Sequence, residues 1–246
     1  MKAIGIIPAR YKSSRYEGKP LIDINGKPMI WWVYQQAKNA SELSEVYVAT
    51  DDIRIEKACE ELQMNVIMTS SFHLSGTDRA CEVAEKIKAD FYTIVMGDEP
   101  LILSKDIDEL VRKMKSYKSY SAGLLAKKYA NPVDIVNPTT IKLALNKNEE
   151  LIYMSRVAIP FPKSATHVEY YKNIGVYVFS AKALQFFGET PVGKLESVED
   201  LEMLRMLENH KTVKVHIIDS DSYSVDTPKD LERVKNIFKN RANAVS

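Results

Sequence analysis

The sequence is poor in several features that mark other protein classes. It contains two cysteines, four histidines and nine glycines in 246 residues. Cys59 and Cys81 belong to no metal-ligand spacing, and we interpret them as reduced core thiols of a cytoplasmic protein. The glycines include no G-x-G-x-x-G motif and no Walker G-x-x-x-x-G-K-[ST] motif. Their absence disfavours a dinucleotide-dependent dehydrogenase and a P-loop enzyme.

The sequence also lacks a large excess of either positive or negative charge, and it lacks long apolar runs. Lysine and arginine number 34 against 33 aspartates and glutamates, a formal net charge of +1, so nothing indicates a nucleic-acid surface. The apolar runs are much shorter than a membrane span, and the first residues pass directly into a predicted strand without a signal-peptide pattern. We therefore expect a cytoplasmic protein that binds neither nucleic acid nor membrane.

Apolar stretches and helical patterns alternate along the first half of the chain. Strands are predicted at residues 45–50, 66–69 and 90–96, with helices between them. The alternation breaks between about residues 131 and 180, where strands without long helices predict an antiparallel excursion. A helix is predicted to begin at Ala80 and another to run over residues 196–209, with Val198, Leu201 and Leu204 on one face. The predicted fold is a single α/β domain over residues 1–246, an open, mostly parallel Rossmann-like sheet.

The first predicted strand ends in a loop rich in cations and hydroxyl groups. A nucleoside triphosphate carries about four negative charges and requires charge-assisted donors and free backbone amides. A loop at the carboxyl end of a buried parallel strand is where an open α/β sheet binds its ligand. The alternative is a solvated surface turn. The candidate phosphate-binding residues are Pro8, Ala9, Arg10, Ser13, Ser14, Arg15 and Lys19.

A carboxylate follows the predicted strand 90–96. Asp98 would lie at the carboxyl end of a central strand, across from the phosphate loop, where a nucleotide-bound Mg²⁺ takes oxygen ligands. The alternative is a turn aspartate that binds its own backbone. Asp51 and Asp52 also follow a strand, but there we favour capping of the next helix over metal binding.

An ordered set of motifs resembles the 3-deoxy-manno-octulosonate (KDO) cytidylyltransferases, also called CMP-KDO synthetases. The set runs from residue 4 to about residue 240 in the order and spacing of that family. Each motif alone is weak, whereas the ordered set is specific. The motifs are Ile7-Pro8-Ala9-Arg10-Tyr11, Gly18-Lys19-Pro20-Leu21, Asn25-Gly26-Lys27-Pro28, Ser75-Gly76-Thr77-Asp78-Arg79, Gly97-Asp98-Glu99-Pro100, Ser155-Arg156 and Val225-Asp226-Thr227-Pro228.

The resemblance implies Mg²⁺-dependent transfer of CMP from CTP to a sugar acid, with release of pyrophosphate, for surface polysaccharide or lipopolysaccharide synthesis. It implies a homodimer whose excursion covers the acceptor. It assigns catalysis to Arg10, Lys19, Asp98 and Asp226, with the two aspartates as Mg²⁺ ligands. The same resemblance places Ser75, Thr77 and Arg79 near the cytosine.

The resemblance assigns six residues to the acceptor, and three of them depart from the family pattern. The six are Met96, Arg156, Asn173, Tyr177, Glu202 and Met203. The family normally has glutamine at the positions of Met96 and Met203 and histidine at that of Asn173. Loss of polar partners changes the discrimination between substrates. The acceptor is therefore KDO, an amino-KDO-like acid or another 2-keto or phosphorylated acid, and neutral drift in a KDO enzyme is the alternative.

Two further alternatives stay open at this stage. Arg156 would bind the acceptor carboxylate through its guanidinium fork, or it is an ordinary surface arginine. The chain could also belong to another class, a nucleotide-binding regulator without catalysis. The retention of Lys19 and of both candidate metal carboxylates argues against the regulator.

Overall fold

Strands and helices alternate from the first residues onward, as the apolar pattern predicts. The structure, a computed structural model, describes residues 1–12, 16–117, 121–130, 132–163 and 168–243. The predicted loop residues Ser13, Ser14 and Arg15 therefore lie outside the described residues. The strands are β1 (Ala3–Ala9), β2 (Asp23–Ile24), β3 (Lys27–Pro28), β4 (Glu45–Thr50), β5 (Val66–Met68), β6 (Phe91–Val95), β7 (Ala122–Lys128), β8 (Lys142–Leu145), β9 (Leu151–Ser155), β10 (Tyr171–Ser180) and β11 (Val213–Ile217). The helices are α1 (Met29–Lys38), α2 (Ile53–Glu61), α3 (Gly76–Lys86), α4 (Ser104–Ser116), α5 (Ala181–Glu189), α6 (Lys194–Glu199), α7 (Met203–Glu208) and α8 (Pro228–Asn243).

The main sheet has the strand order β11-β7-β10-β6-β1-β4-β5. β1 pairs in parallel with β4 and β6, β5 is parallel to β4, and β11 is parallel to β7. β10 is antiparallel to both of its neighbours, β6 and β7. The predicted α/β fold with a mostly parallel sheet is confirmed.

Helices cover both faces of this sheet because its central strands are apolar on both sides. All seven residues of β1 are buried. Ala3 and Ile7 belong to the core that contains the inner faces of α1 and α4. Ile4 and Ile6 belong to the opposite core, which contains residues of α3 and α5. This alternation follows the two-residue period of a strand.

The antiparallel excursion is a hairpin attached to β10. β8 and β9 pair antiparallel, with Lys142 opposite Ser155. β8 also pairs antiparallel with β10 through Lys142 and Lys172. Both hairpin strands fall within the predicted range of residues 131–180, so this part of the fold prediction is confirmed.

The prediction of one helix over residues 196–209 is wrong, because α6 and α7 are separate. Asp200 has a φ of 55°, which an α-helix does not allow. Arg156 donates hydrogen bonds to the carbonyl oxygens of Glu199 and Asp200, at 2.8 and 3.2 Å, and so satisfies the carboxyl end of α6. Val198, expected on the apolar face, is 83% exposed.

Helix α3 begins at Gly76, four residues before the predicted start at Ala80. Ser75 is its N-cap, and the Ser75 hydroxyl accepts a hydrogen bond from the Asp78 amide at 3.0 Å. Thr77 and Arg79 are therefore helical residues rather than members of a preceding loop.

A buried arginine fixes α3 against the C-terminal helices. Arg205 of α7 is 2% exposed. Its guanidinium group binds the Glu196 carboxylate through two bonds of 2.7 Å and the Asp78 carboxylate at 2.9 Å. A bidentate, charge-assisted pair of this kind also fixes orientation. Removing one partner of such a buried pair typically costs about 3–5 kcal/mol.

Across the described parts of the chain, no helix is both long enough and apolar enough to cross a membrane.

Candidate active site

A central cleft of about 390 Å³ opens at the carboxyl ends of β1 and β6. The chain leaves β1 toward β4 on one side and returns to β6 on the other, which makes this the switch point where open α/β sheets bind ligands. Lys19 and Thr77 do not line the cleft themselves. Lys19 binds Asp98 and Thr77 binds Glu202, and both of these acidic residues line it. The predicted site residues that line the cleft are Pro8, Ala9, Arg10, Ser75, Arg79, Met96, Asp98, Arg156, Asn173, Tyr177, Glu202, Met203 and Asp226.

Three predicted catalytic residues meet beside the cleft. The Lys19 ammonium lies 2.6 Å from Asp98 Oδ2 and 3.1 Å from Asp226 Oδ1. Burial lowers the pKa of Lys19, but the charges of Asp98 and Asp226 outweigh burial and hold the pKa above its usual value. The lysine is therefore a firmly charged cation between two carboxylates.

The same two carboxylates fit a divalent cation. Both approach one nitrogen atom, so their oxygens face a common point. The described residues contain no group of three or more histidine, cysteine or acidic side chains suited to a metal. An ion held by Asp98 and Asp226 would take its other ligands from substrate phosphates and water, as Mg²⁺ commonly does.

Lys19 reaches this position from a short loop that follows β1. Gly18 has a φ of 69°, and a Cβ atom there would lie 3.1 Å from the Tyr11 ring. The Gly18 amide donates to the Tyr11 carbonyl at 2.9 Å and closes the loop. Glycine is thus required by both backbone angle and space. Arg10 is exposed and lines the cleft at the start of this loop.

The side chains predicted to surround the base make internal contacts. Ser75 donates to the Asp78 carboxylate at 2.7 Å. Arg79 is buried, donates to the Ser70 carbonyl at 3.3 Å and pairs with Asp51 at 3.2 Å. Burial lowers the pKa of Arg79, and the charge of Asp51 opposes that shift. Asp51 therefore holds Arg79, whereas Asp52 caps α2 as predicted.

Glu202 connects the segment before α7 to the beginning of α3. Its carboxylate accepts hydrogen bonds from the amides of Gly76 and Thr77, both at 3.0 Å, and from the Thr77 hydroxyl. Acidic groups are favoured at a helix N-terminus, and this one is 125 residues away from Thr77 in the chain. Burial raises the pKa of Glu202, while the Thr77 donors lower it.

The side of the cleft that is predicted to bind the acceptor carries two thioethers beside its polar groups. Met96 and Met203 both line it, and Met203 is 2% exposed. The Asn173 amide donates to the Tyr177 hydroxyl at 2.7 Å. Burial raises the pKa of Tyr177, so the phenol is neutral. Asn173 Oδ1 is buried and, among the described residues, has no hydrogen-bond partner.

Glu99 is a cleft residue that the sequence interpretation did not single out. It is 5% exposed and accepts hydrogen bonds from the Gly175 amide at 3.1 Å and the Ser222 hydroxyl at 2.6 Å. Burial and the charge of Asp98 raise the pKa of Glu99 to about 7. Its position directly after Asp98 in the sequence could have identified it as a residue of the site. The link to Ser222 depends on the tertiary structure.

An open α/β sheet with a cation loop and paired carboxylates at its switch point defines a nucleotidyltransferase. A sequence model of the cytidylyltransferase family matches residues 4–213. The chain belongs to the cytidylyltransferase family, and the predicted resemblance to its KDO members is confirmed.

Three relatives illustrate this membership. A 3-deoxy-manno-octulosonate cytidylyltransferase of Thermodesulfovibrio yellowstonii is 41% identical over 94% of this chain and 96% of its own length. An 8-amino-3,8-dideoxy-manno-octulosonate cytidylyltransferase of Shewanella sp. is 40% identical over 95% and 97%. The solved structure of CMP:2-keto-3-deoxy-manno-octonic acid synthetase complexed with CTP superposes with a TM-score of 0.92 and 37% identity, covering 98% of this chain and 100% of that one.

A carboxylate of α3 anchors the loop that enters the cleft. Glu82 accepts a hydrogen bond from the Ser70 amide at 2.8 Å and contacts His73 Nε2 at 2.6 Å. His73 lines the cleft. Burial raises the pKa of Glu82, but Lys86, the Ser70 amide and His73 together lower it to about 2.

We expect Glu82→Gln to destabilise the protein in a pH-dependent way. A depressed folded-state pKa contributes stability above the ordinary value of 4.5, and the contribution is lost as the pH falls toward 2. Wild type and variant should differ by about 1–3 kcal/mol in unfolding free energy at neutral pH and converge toward pH 2. Urea titrations across this range measure the difference. The exposed Glu85 of the same helix, changed to glutamine, is the control, and a pH-independent loss in Glu82→Gln would contradict the assignment.

Proposed function

We propose that this chain transfers CMP from CTP to an eight-carbon 2-keto sugar acid, KDO or a KDO-like acid, and releases pyrophosphate. The relatives named for KDO and for its 8-amino form support this acceptor class. The resemblance to a synthetase complexed with CTP supports the nucleotide. The observation that carries the proposal is the Lys19 ammonium held between Asp98 and Asp226 at the sheet's switch point.

The proposed chemistry is attack of an acceptor hydroxyl on the α-phosphorus of CTP. The new bond joins the acceptor oxygen to phosphorus, the hydroxyl proton passes to solvent, and pyrophosphate leaves with the electron pair of the broken P–O bond. Such transfer depends mainly on positioning and on neutralising charge. Arg10, Lys19 and, by resemblance, Ser13, Ser14 and Arg15 would hold the triphosphate. Lys19 also holds both aspartates close together, because its ammonium contacts both carboxylates.

We infer that Mg²⁺ binds at Asp98 and Asp226. Their oxygen donors suit a hard cation, and the nucleotide brings the phosphate oxygens that complete its coordination. When bound, the ion supplies positive charge to the reacting phosphate. By resemblance, the product would serve the synthesis of lipopolysaccharide or another surface polysaccharide in the cytoplasm.

Replacing either carboxylate tests this assignment. Asp98→Asn and Asp226→Asn each remove one charge and one metal ligand, and we expect kcat for pyrophosphate release to fall about 10²-fold or more. Asp221→Asn is the matched control, because Asp221 also lines the cleft but is 60% exposed and pairs with Lys127. Unchanged kcat in either test variant would remove that aspartate from the metal site.

The acceptor cannot be read from overall identity, because the KDO and 8-amino relatives match almost equally well. The acceptor side offers thioethers at Met96 and Met203, where the resembled family has polar groups. It also offers one hydrogen-bond acceptor, Asn173 Oδ1, that has no partner in the described parts of the chain. A buried acceptor of this kind favours a substrate that presents an O–H or N–H group to it. KDO and its 8-amino form both carry such donors.

Pyrophosphate release with CTP, Mg²⁺ and a panel of acids tests the function. The panel contains KDO, its 8-amino-3,8-dideoxy form, other 2-keto acids and phosphorylated acids. We expect CTP-dependent release with at least one eight-carbon acid. If KDO is the poorer acceptor, the variant M96Q/N173H/M203Q should shift kcat/KM toward KDO, because it restores polar partners. CTP binding without release for any acid would contradict the proposed reaction.

We also infer a homodimer, as the resemblance implies. Large apolar side chains are exposed on the excursion and on α6: Ile152 (58%), Val157 (67%), Phe161 (83%) and Val198 (83%). Exposed apolar side chains of this size are typical of interfaces between subunits. Light scattering at micromolar concentration should give twice the mass of one chain, and Phe161→Glu with Val198→Glu should give a single-chain mass. A single-chain mass for the wild type would contradict the dimer.

A further inference from the structure

A lysine is completely buried under the acceptor side of the cleft. Lys142 is the first residue of β8, and its exposed fraction is 0%. Its ammonium donates to the carbonyl oxygens of Asn137, of Thr140 at 2.9 Å and of Arg156 at 2.8 Å. No carboxylate among the described residues forms an ion pair with it. Three backbone carbonyls therefore use all three donors of this cation.

Stability alone does not favour a cation at this place. A buried ion loses several kcal/mol of hydration, and replacing such groups with apolar residues of similar volume is often neutral or stabilising. Burial lowers the pKa of Lys142, and the charge of Arg156 lowers it further. The ammonium fixes local geometry instead, because it joins the loop before β8 to Arg156, just beyond the end of the β8–β9 pairing.

The three carbonyls belong to one wall of the cleft. Asn137, Thr140 and Arg156 all line it, and we call these three residues the excursion wall. Asn137 and Thr140 lie in the loop before β8, whereas Arg156 directly follows β9. Lys142 lies between them because it pairs with Ser155 across the hairpin.

The position of Arg156 depends on this wall. Its amide donates to the Glu199 carboxylate at 3.1 Å, and its guanidinium Nε and Nη2 bind carbonyls at the end of α6. Glu199 also accepts from the Ser155 hydroxyl at 2.6 Å. Lys142 fixes the backbone of Arg156 from one side, and α6 fixes it from the other.

We infer that Lys142 is a positioning residue for the acceptor acid: its ammonium group holds the excursion wall, and with it the Arg156 backbone, at the acceptor side of the cleft. The inference rests on the proposed function, in which that side binds a sugar acid. Lys142 itself does not touch the substrate, since its side chain is enclosed by the wall.

The test uses the full-length enzyme and three variants. Lys142→Met keeps the volume and removes all three donors, while Lys142→Gln keeps two donors without the charge. Lys214→Met is the matched control, because Lys214 donates to the Asn148 carbonyl at the turn of the same hairpin, outside the cleft lining. Each variant is assayed with CTP and the best acid of the panel.

We expect Lys142→Met to raise KM for the acceptor about tenfold to 10²-fold, the scale of an ångström-level misplacement. KM for CTP should stay within about twofold, and Lys142→Gln should fall between wild type and Lys142→Met. Lys214→Met should change neither KM. An unchanged acceptor KM in a folded variant, or an equal rise in both KM values, would overturn the inference. If Lys142→Met does not fold, Lys142→Gln decides by the same criterion.

A second readout separates this inference from the proposed function. The amides of Asn137, Thr140 and Arg156 are hydrogen bonded. Their hydrogen exchange should be about tenfold faster in Lys142→Met, while the Thr77 amide, bound to Glu202, should be unaffected. Absence of pyrophosphate release in the wild type would refute the function alone. Unchanged exchange of the wall amides would refute the role of Lys142, whatever the acceptor.

Discussion

The structure depends first on the repulsion between two carboxylates that meet at the carboxyl end of β6. Asp98 follows β6, and Asp226 precedes α8, 128 positions later in the chain. Two carboxylates brought this close repel each other in a partly buried place unless a cation lies between them. Lys19 supplies that cation from the loop after β1. Lys19 thus holds together the two carboxylates that we propose as ligands of a divalent ion.

The rest of the cleft is built by groups that bind the backbone rather than by free side chains. Glu202 receives the first amides of α3, and Arg205 holds the same helix through Asp78. The predicted base-binding segment and the predicted acceptor segment are therefore one connected unit.

The side of the cleft that we propose for the acceptor combines a hydrogen-bonded frame with two thioether side chains. Lys142 and Arg156 fix the frame through carbonyl groups. Met96 and Met203 supply flexible thioether surface, which adapts to ligand shape more readily than amides or imidazoles do. On the same side, Asn173 Oδ1 is a buried polar atom without a hydrogen-bond partner among the described residues.

The sequence by itself determined the mostly parallel sheet and the antiparallel excursion, and it predicted the phosphate loop and Lys19, Asp98 and Asp226 as site residues. These depend on local period, on turn residues and on motif order, which are all read along the chain. The tertiary structure decided the break between α6 and α7, the capping of α3 by Glu202 and the enclosure of Lys142. The break between α6 and α7 and the capping of α3 depend on partners 43 and 125 positions away in the chain. Lys142 is enclosed by two carbonyls of the preceding loop and by that of Arg156, 14 positions away. Periodicity carries no information about any of these contacts. A lysine in a strand predicts a solvated side chain, and only the packing of three carbonyls around Lys142 shows otherwise.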